Sequence, residues 1–243
     1  MIELRLLGAV DLSGVDERSA QALLVQSKCV ATLAYLALAT PRALHRRDRL
    51  AGLLWPELDQ EHARAQVRRV VHGLRRALGE QALIARGDEE IGIAPGTLWC
   101  DAVEVDEAVR GGRYARALEL YERGDLLPGF FVPEAGEFED WLDRERTALR
   151  DSVAAAAWGL AARSEEGGDG TIAVRYARQA VQLAPSDERM LRRVMTLLER
   201  LGDRAAAMRV YDDFARRLRR DFEAEPSAET RGLVERIRGA PGR

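Results

Sequence analysis

The period of the apolar positions changes several times along this chain, and each change predicts an element. Residues 2–12, IELRLLGAVDL, alternate imperfectly and then meet Ser13 and Gly14, which predicts one or two short strands ended by a turn. Residues 15–27 carry no clear period. From about 27 to 39, SKCVATLAYLALA is apolar almost throughout, with Val30, Leu33, Ala34 and Ala37 in helical register and Pro41 beyond it. A second helix is expected from near Leu44 to Pro56, burying Leu50, Leu53 and Leu54 and carrying His45, Arg46, Arg47 and Arg49 in its first turns. After the polar turn ELDQE, residues 61–79 predict a third helix. Val67, Val71, Leu74 and Leu78 draw its apolar stripe, Arg69, His72, Gly73 and Arg76 lie opposite, and Arg64, Arg68 and Arg75 run along one flank. Residues 82–86 and 90–94 then alternate about Gly87, Asp88 and Glu89, the pattern of a hairpin.

Three helices in this order, the first nearly all apolar and the third basic, followed at once by a hairpin, read as a winged helix-turn-helix. Arg86 falls at the wing tip, where Asp88, Glu89 and Glu90 beside it argue against deep insertion. Residues 95–104, PGTLWCDAVE, read as a seam, and Leu98 and Trp99 within it should pack against another element. Beyond the seam the chain is almost entirely helical and has a rhythm. Gly112 is followed by Ala117 and Tyr121, Gly202 by Ala207 and Tyr211 at the same offsets, and Gly168 by Ala173 and Ala177. Small residues at fixed positions let helices approach closely, so the spacing predicts tetratricopeptide-like hairpins, with a generic helical bundle as the alternative. A long helix from about 137 to 163 lies between them, and the tail from Gly239 to Arg243 should fray. The expected fold is mainly α: a winged helix over residues 1–96 with small β elements, then an all-helical domain over 97–243.

Charge sharpens the picture. Overall the chain carries a net charge of -3, but residues 1–98 hold 13 Lys and Arg against 12 Asp and Glu, a net of +1, and residues 99–243 hold 24 against 28, a net of -4. Residues 61–79 contain five arginines and one glutamate. Binding to phosphates responds to this local field rather than to the total. Cys29 and Cys100 stand far apart among apolar neighbours, which suits buried thiols better than a disulfide and is too little cysteine for a zinc module. The three histidines, His45, His62 and His72, have no partners at metal-ligand spacing, and neither a nucleophile elbow nor a glycine-rich phosphate loop is present, so no enzyme, metal or cofactor is expected. The chain starts without a leader-like pattern and has no run of bilayer-spanning length, so a cytoplasmic location without membrane contact is expected.

Several stretches together resemble the Streptomyces antibiotic regulatory protein family, an OmpR-like winged helix followed by a bacterial transcriptional activation domain. They are LRLLGAV at 4–10, RRDRLAGLLWP at 46–56, VVHGLRRALG at 70–79, GGRYARALELYERGDLLPGF at 111–130, and GDRAAAMRVYDDF at 202–214 leading to EAEPSAET at 223–230. The resemblance covers nearly all of the chain. It implies a sequence-specific transcriptional activator that binds double-stranded DNA as a homodimer on direct repeats and recruits RNA polymerase holoenzyme, with the helix matching 61–79 in the major groove and the hairpin matching 83–93 as the wing. Gly73 departs from the family pattern, where a long basic side chain commonly stands, and residues 11–27 are shorter and more polar than usual, which implies a reduced N-terminal sheet. Carried over by position, Arg64, Arg68, Arg69 and His72 match places near bases or backbone, and Arg75 and Arg76 match the paired arginines of the family motif.

Chemistry assigns roles and leaves alternatives open. Arg68 and Arg69 have the forked donors that suit guanine O6 and N7, and a phosphate-facing or solvated role serves them equally. Arg64, Arg75 and Arg76 are read as backbone anchors, with pairing to an acid as the alternative for the last two. His72 is read as a base or phosphate contact or as a neutral surface residue. His45, Arg46, Arg47 and Arg49 fall where a supporting helix would cross the DNA backbone. Trp55, Trp99, Trp141 and Trp158 read as packing residues. A second function fits the same chain: an interaction adaptor or ligand-sensing module that uses its helical repeats and binds DNA weakly or without sequence preference.

Overall fold

The computed structural model describes residues 1–239. Two short antiparallel strands open the chain, β1 (Ile2–Arg5) and β2 (Asp11–Ser13), followed by α1 (Glu17–Leu24) and α2 (Ser27–Leu38). Next come β3 (His45–Arg46), α3 (Arg47–Leu54), α4 (Gln60–Leu78), and, after a 3-10 turn at Glu80–Ala82, β4 (Leu83–Arg86), β5 (Glu90–Ile93) and β6 (Leu98–Cys100). The remainder is helical: α5 (Asp101–Arg110), α6 (Tyr114–Tyr121), α7 (Gly136–Glu166), α8 (Gly170–Leu183), α9 (Glu188–Arg200), α10 (Arg204–Phe222) and α11 (Ala228–Gly239). The frayed tail expected at 239–243 lies, apart from Gly239, outside the described residues.

The chain divides into two compact units, residues 1–111 with 119–149, and residues 112–118 with 150–243. In the first, α2 is buried on all sides from Cys29 to Leu38, as a helix without a polar face must be. It packs on α3 and α4, which supply Leu50, Leu53, Leu54, Val67, Val71 and Leu74, none more than 3% exposed. Asp59 starts α4 by accepting the amide of His62, and Gly79, at φ 94°, stops it. Sheet β3-β5-β4 forms the wing, with Arg86 opposite Glu90. The fold is the expected winged helix-turn-helix with small β elements.

Two local differences from the sequence reading have physical causes. His45 and Arg46 do not begin a helix; they pair with Ile91 and Glu90 as β3, because β5 offers their backbone a ladder, and Arg46 then caps α3 in extended conformation. Residues 17–24 form α1, capped by Asp16, although only Ala20 and Leu23 of that helix are buried. Leu98 and Trp99 are packed as the seam suggested, through the parallel pairing of β6 with β1. The N-terminal sheet therefore has three strands, in the order β2-β1-β6. Asp101 closes this arrangement: fully buried, its carboxylate accepts the amides of Leu6, Leu7 and Ala102 at 2.8, 3.1 and 2.8 Å.

Both cysteines are buried and free, and burial raises each thiol above its ordinary range, that of Cys100 to about 12. Trp55 and Trp141 are buried as expected.

In the second unit α8, α9, α10 and α11 pack around Ala173, Ala177, Leu191, Val194, Met195, Ala207 and Phe214. The glycine rhythm has a direct cause. Gly112, Gly168 and Gly202 all adopt positive φ, 68°, 80° and 81°, at the corner before a helix, and the alanines five residues on are fully buried. Asp169 and Asp203 cap α8 and α10 directly after their corners. This is the all-helical, tetratricopeptide-like half of the fold.

Candidate nucleic-acid interface

The outward side of α4 is a cationic surface of the first unit. Its burial pattern follows helical period, with Ala63, Val67, Val70, Val71, Leu74 and Leu78 inward and Arg68, Arg69, His72, Gly73 and Arg76 exposed. Among the described residues Arg68, His72 and Arg76 have neither a hydrogen-bond nor an ion-pair partner. Arg69 reaches only Gln66, one turn back, at 3.2 Å. Gln66 escaped the sequence reading, although its spacing of three from Arg69 was visible. Four side chains with unspent donor capacity thus share one helical face.

The flanking arginines are arranged differently. Arg64 makes two parallel bonds to Asp48 of α3, at 2.6 and 2.7 Å. The Arg64 hydrogen bond holds the Asp48 carboxyl below its ordinary value against the opposing effect of burial. This fork fixes the rotation of α4 on α3 and so the direction of its exposed face. Because the carboxyl is lowered, the pair is intact above the usual carboxylate range and is lost only as pH falls through the lowered value. Arg75 is half-buried with its Nε 3.8 Å from Glu80.

The expected supporting contacts are dispersed. His45 is half-buried with its ring edge on Tyr35, 5.2 Å between centroids, and burial lowers its pKa, so its imidazole is uncharged near neutrality. Arg46 and Arg47 face Glu89 and Asp88 of the wing turn at 3.8 and 3.9 Å, and Arg49 meets Glu137 at 2.9 Å. Arg86 of β4 meets Glu90 at 3.1 Å, with 78% of its side chain exposed. Each cation around the wing thus has an acid beside it, while those on the outer face of α4 do not.

Gly73 sits within this face and a Cβ there would meet nothing within 4 Å. A mid-helix glycine with open space around it costs helix stability without serving packing. Gly73→Ala is expected to stabilise the first unit by about 1 kcal/mol in urea denaturation, and a destabilisation would show that the site is occupied in the folded state. Beside Gly73 lies a cleft of about 280 Å³ lined by Leu23, Lys28, Trp55, Gln66, Arg69 and Arg76 among others, where Lys28 is held over Trp55 and against Glu57. Among the described residues no group of three or more His, Cys, Asp or Glu is placed to hold a metal, and no single helix is long and apolar enough to cross a membrane.

A search of curated proteins gives no match. Among solved structures, the chain is similar to Mycobacterium tuberculosis EmbR in complex with a low affinity phosphopeptide, with a TM-score of 0.66 and 21% identity; the match covers 99% of this chain and 66% of that one. The likeness is one of fold and spans both units. The family model of the bacterial transcriptional activator domain matches residues 102–238, more than half of the chain. With a winged helix ahead of that match, the chain belongs to the bacterial transcriptional activator domain family.

Proposed function

We propose that this protein is a sequence-specific DNA-binding transcriptional regulator that reads the major groove with α4 and activates by recruiting RNA polymerase. The unpaired cationic face of α4, presented by a winged helix within a chain of the activator-domain family, carries the reading. In it, Arg68 and Arg69 reach base edges, Arg76 and His72 reach bases or phosphates beside them, and Arg64 and Arg75 orient the helix and lie against the backbone. Arg46, Arg47, Arg49 and Arg86 supply backbone contacts by exchanging their acids for phosphates, whereas the half-buried, uncharged ring of His45 supports β3 instead. Residues 1–96 serve DNA and residues 97–243 serve the polymerase and a homodimer on direct repeats, in the cytoplasm.

Selection of bound fragments from sheared genomic DNA, followed by titration of the winner against a scrambled control at several salt concentrations, tests the central claim. A preference of about a thousandfold or more supports it. Equal, weak binding of all fragments that collapses as salt rises would leave α4 as a nonspecific electrostatic surface. Run-off transcription with RNA polymerase holoenzyme then separates activation from repression, and sedimentation on one-site and two-site DNA tests the dimer. Because the Arg86 guanidinium must leave Glu90 to reach a phosphate, Arg86→Ala is expected to weaken binding to the selected site by less than about fivefold. A larger loss in a filter-binding titration would make the wing a principal contact.

A further inference from the structure

A second cationic surface lies in the helical half, where the net charge is negative. Along α9, Arg189, Arg192, Arg193 and Arg200 stand at offsets of 0, 3, 4 and 11, which places them on one face, while Leu191, Val194, Met195 and Leu198 on the other face are buried. With Arg236 of α11 and Trp158 of α7 they line an open cleft of about 600 Å³. Two of these arginines are structural. Arg192 bonds Thr230 at 3.0 Å and pairs with Glu229 at 3.0 Å, clamping α9 to α11, and Arg200 makes two bonds to Glu165 at 2.8 and 2.7 Å. The other three are exposed, and among the described residues Arg189, Arg193 and Arg236 have no acid partner. Arg193 lies over the Trp158 ring, 6.0 Å from its centroid.

We propose that this cleft binds an acidic peptide segment of a partner protein, with its carboxylates received by Arg189, Arg193 and Arg236. Three observations select this chemistry. The available cations are divided between two helices, Arg189 and Arg193 roughly 6 Å apart along the axis of α9 and Arg236 on α11, an arrangement that suits separate carboxylates of a peptide better than one compact phosphate group. One face of the Trp158 indole is covered by the Arg193 guanidinium, which disfavours stacking of a base there and leaves the ring as an apolar wall for the peptide. The net charge of -4 over residues 99–243 repels a long polyanion such as duplex DNA at distance, while a short acidic segment meets only the local positive field of the cleft.

The test uses the full chain and a fluorescein-labelled twelve-residue peptide of alternating Glu and Ala with interspersed Leu, followed by anisotropy. Binding should weaken by at least about tenfold in the double variant Arg193→Glu, Arg236→Glu, with far-UV circular dichroism and affinity for the selected DNA unchanged. An Arg189→Ala variant, which removes one exposed cation and reverses no charge, should weaken it by a smaller factor. A loss of equal size in Arg68→Glu, Arg69→Glu would place the peptide on α4 and overturn the proposal. So would displacement of the peptide by an equal concentration of pyrophosphate, which would make the cleft a phosphate site, or loss of DNA affinity in the Arg193→Glu, Arg236→Glu variant, which would make it part of the DNA surface. Absence of measurable binding at millimolar peptide would also overturn it.

Discussion

Replacing Asp101 with alanine is expected to lower the unfolding free energy of the first unit by about 3 kcal/mol or more. The carboxylate is fully buried, and its removal leaves the amides of Leu6, Leu7 and Ala102 without acceptors in a place water does not reach. The effect is larger than that of an ordinary surface cap because one side chain satisfies donors from two segments far apart in the chain, the end of β1 and the start of α5. Asp101→Asn keeps one acceptor oxygen and turns an amide donor toward other donors, so it should fall between alanine and the native protein. Urea denaturation followed by tryptophan fluorescence gives the comparison. A loss below about 1 kcal/mol for alanine would mean that the three amides find other acceptors and that β1 is not anchored through this residue.

The second large effect is expected on DNA. If α4 reads bases, Arg68→Ala and Arg69→Ala should each cost about 1 to 3 kcal/mol at the selected site, roughly 5- to 150-fold, while changing affinity for a scrambled duplex far less. The variant that flattens the preference names the discriminating side chain. Neither arginine is tied to an acid in the protein, so neither substitution removes an internal ion pair and the loss can be assigned to DNA. Arg64→Ala is a useful contrast. It breaks the fork to Asp48, so specific and nonspecific affinity should both fall as α4 loses its fixed rotation. If Arg68→Ala and Arg69→Ala instead lower both affinities by the same factor, the pair contacts phosphates alone.

How much of this was legible in the sequence depended on the range of the interaction concerned. The helices later seen as α2 and α4 were readable because their apolar positions repeat with helical period, and the repeat corners were readable because glycine is the residue that adopts positive φ cheaply. The helix α1 was not, since a face of two residues, Ala20 and Leu23, is too short to show a period. Two-residue β3 looked like the start of a helix because its identity is decided by β5, more than forty positions away. The basic face of α4 was visible as composition, but the division of its arginines into held and available ones was not. Asp48 lies 16 residues from Arg64 and Glu137 lies 88 from Arg49, and nothing local to either arginine announces the pairing. The Asp101 bonds, spanning 94 and 95 residues, were invisible for the same reason.

The burial of Cys29 and Cys100 has a practical consequence. With both thiols buried and raised above the ordinary range, the folded chain should react slowly with maleimides at neutral pH. A single cysteine placed on an exposed position would therefore be the faster-reacting handle, and a spectroscopic probe can be attached to α4 or to α9 without first engineering the native cysteines away.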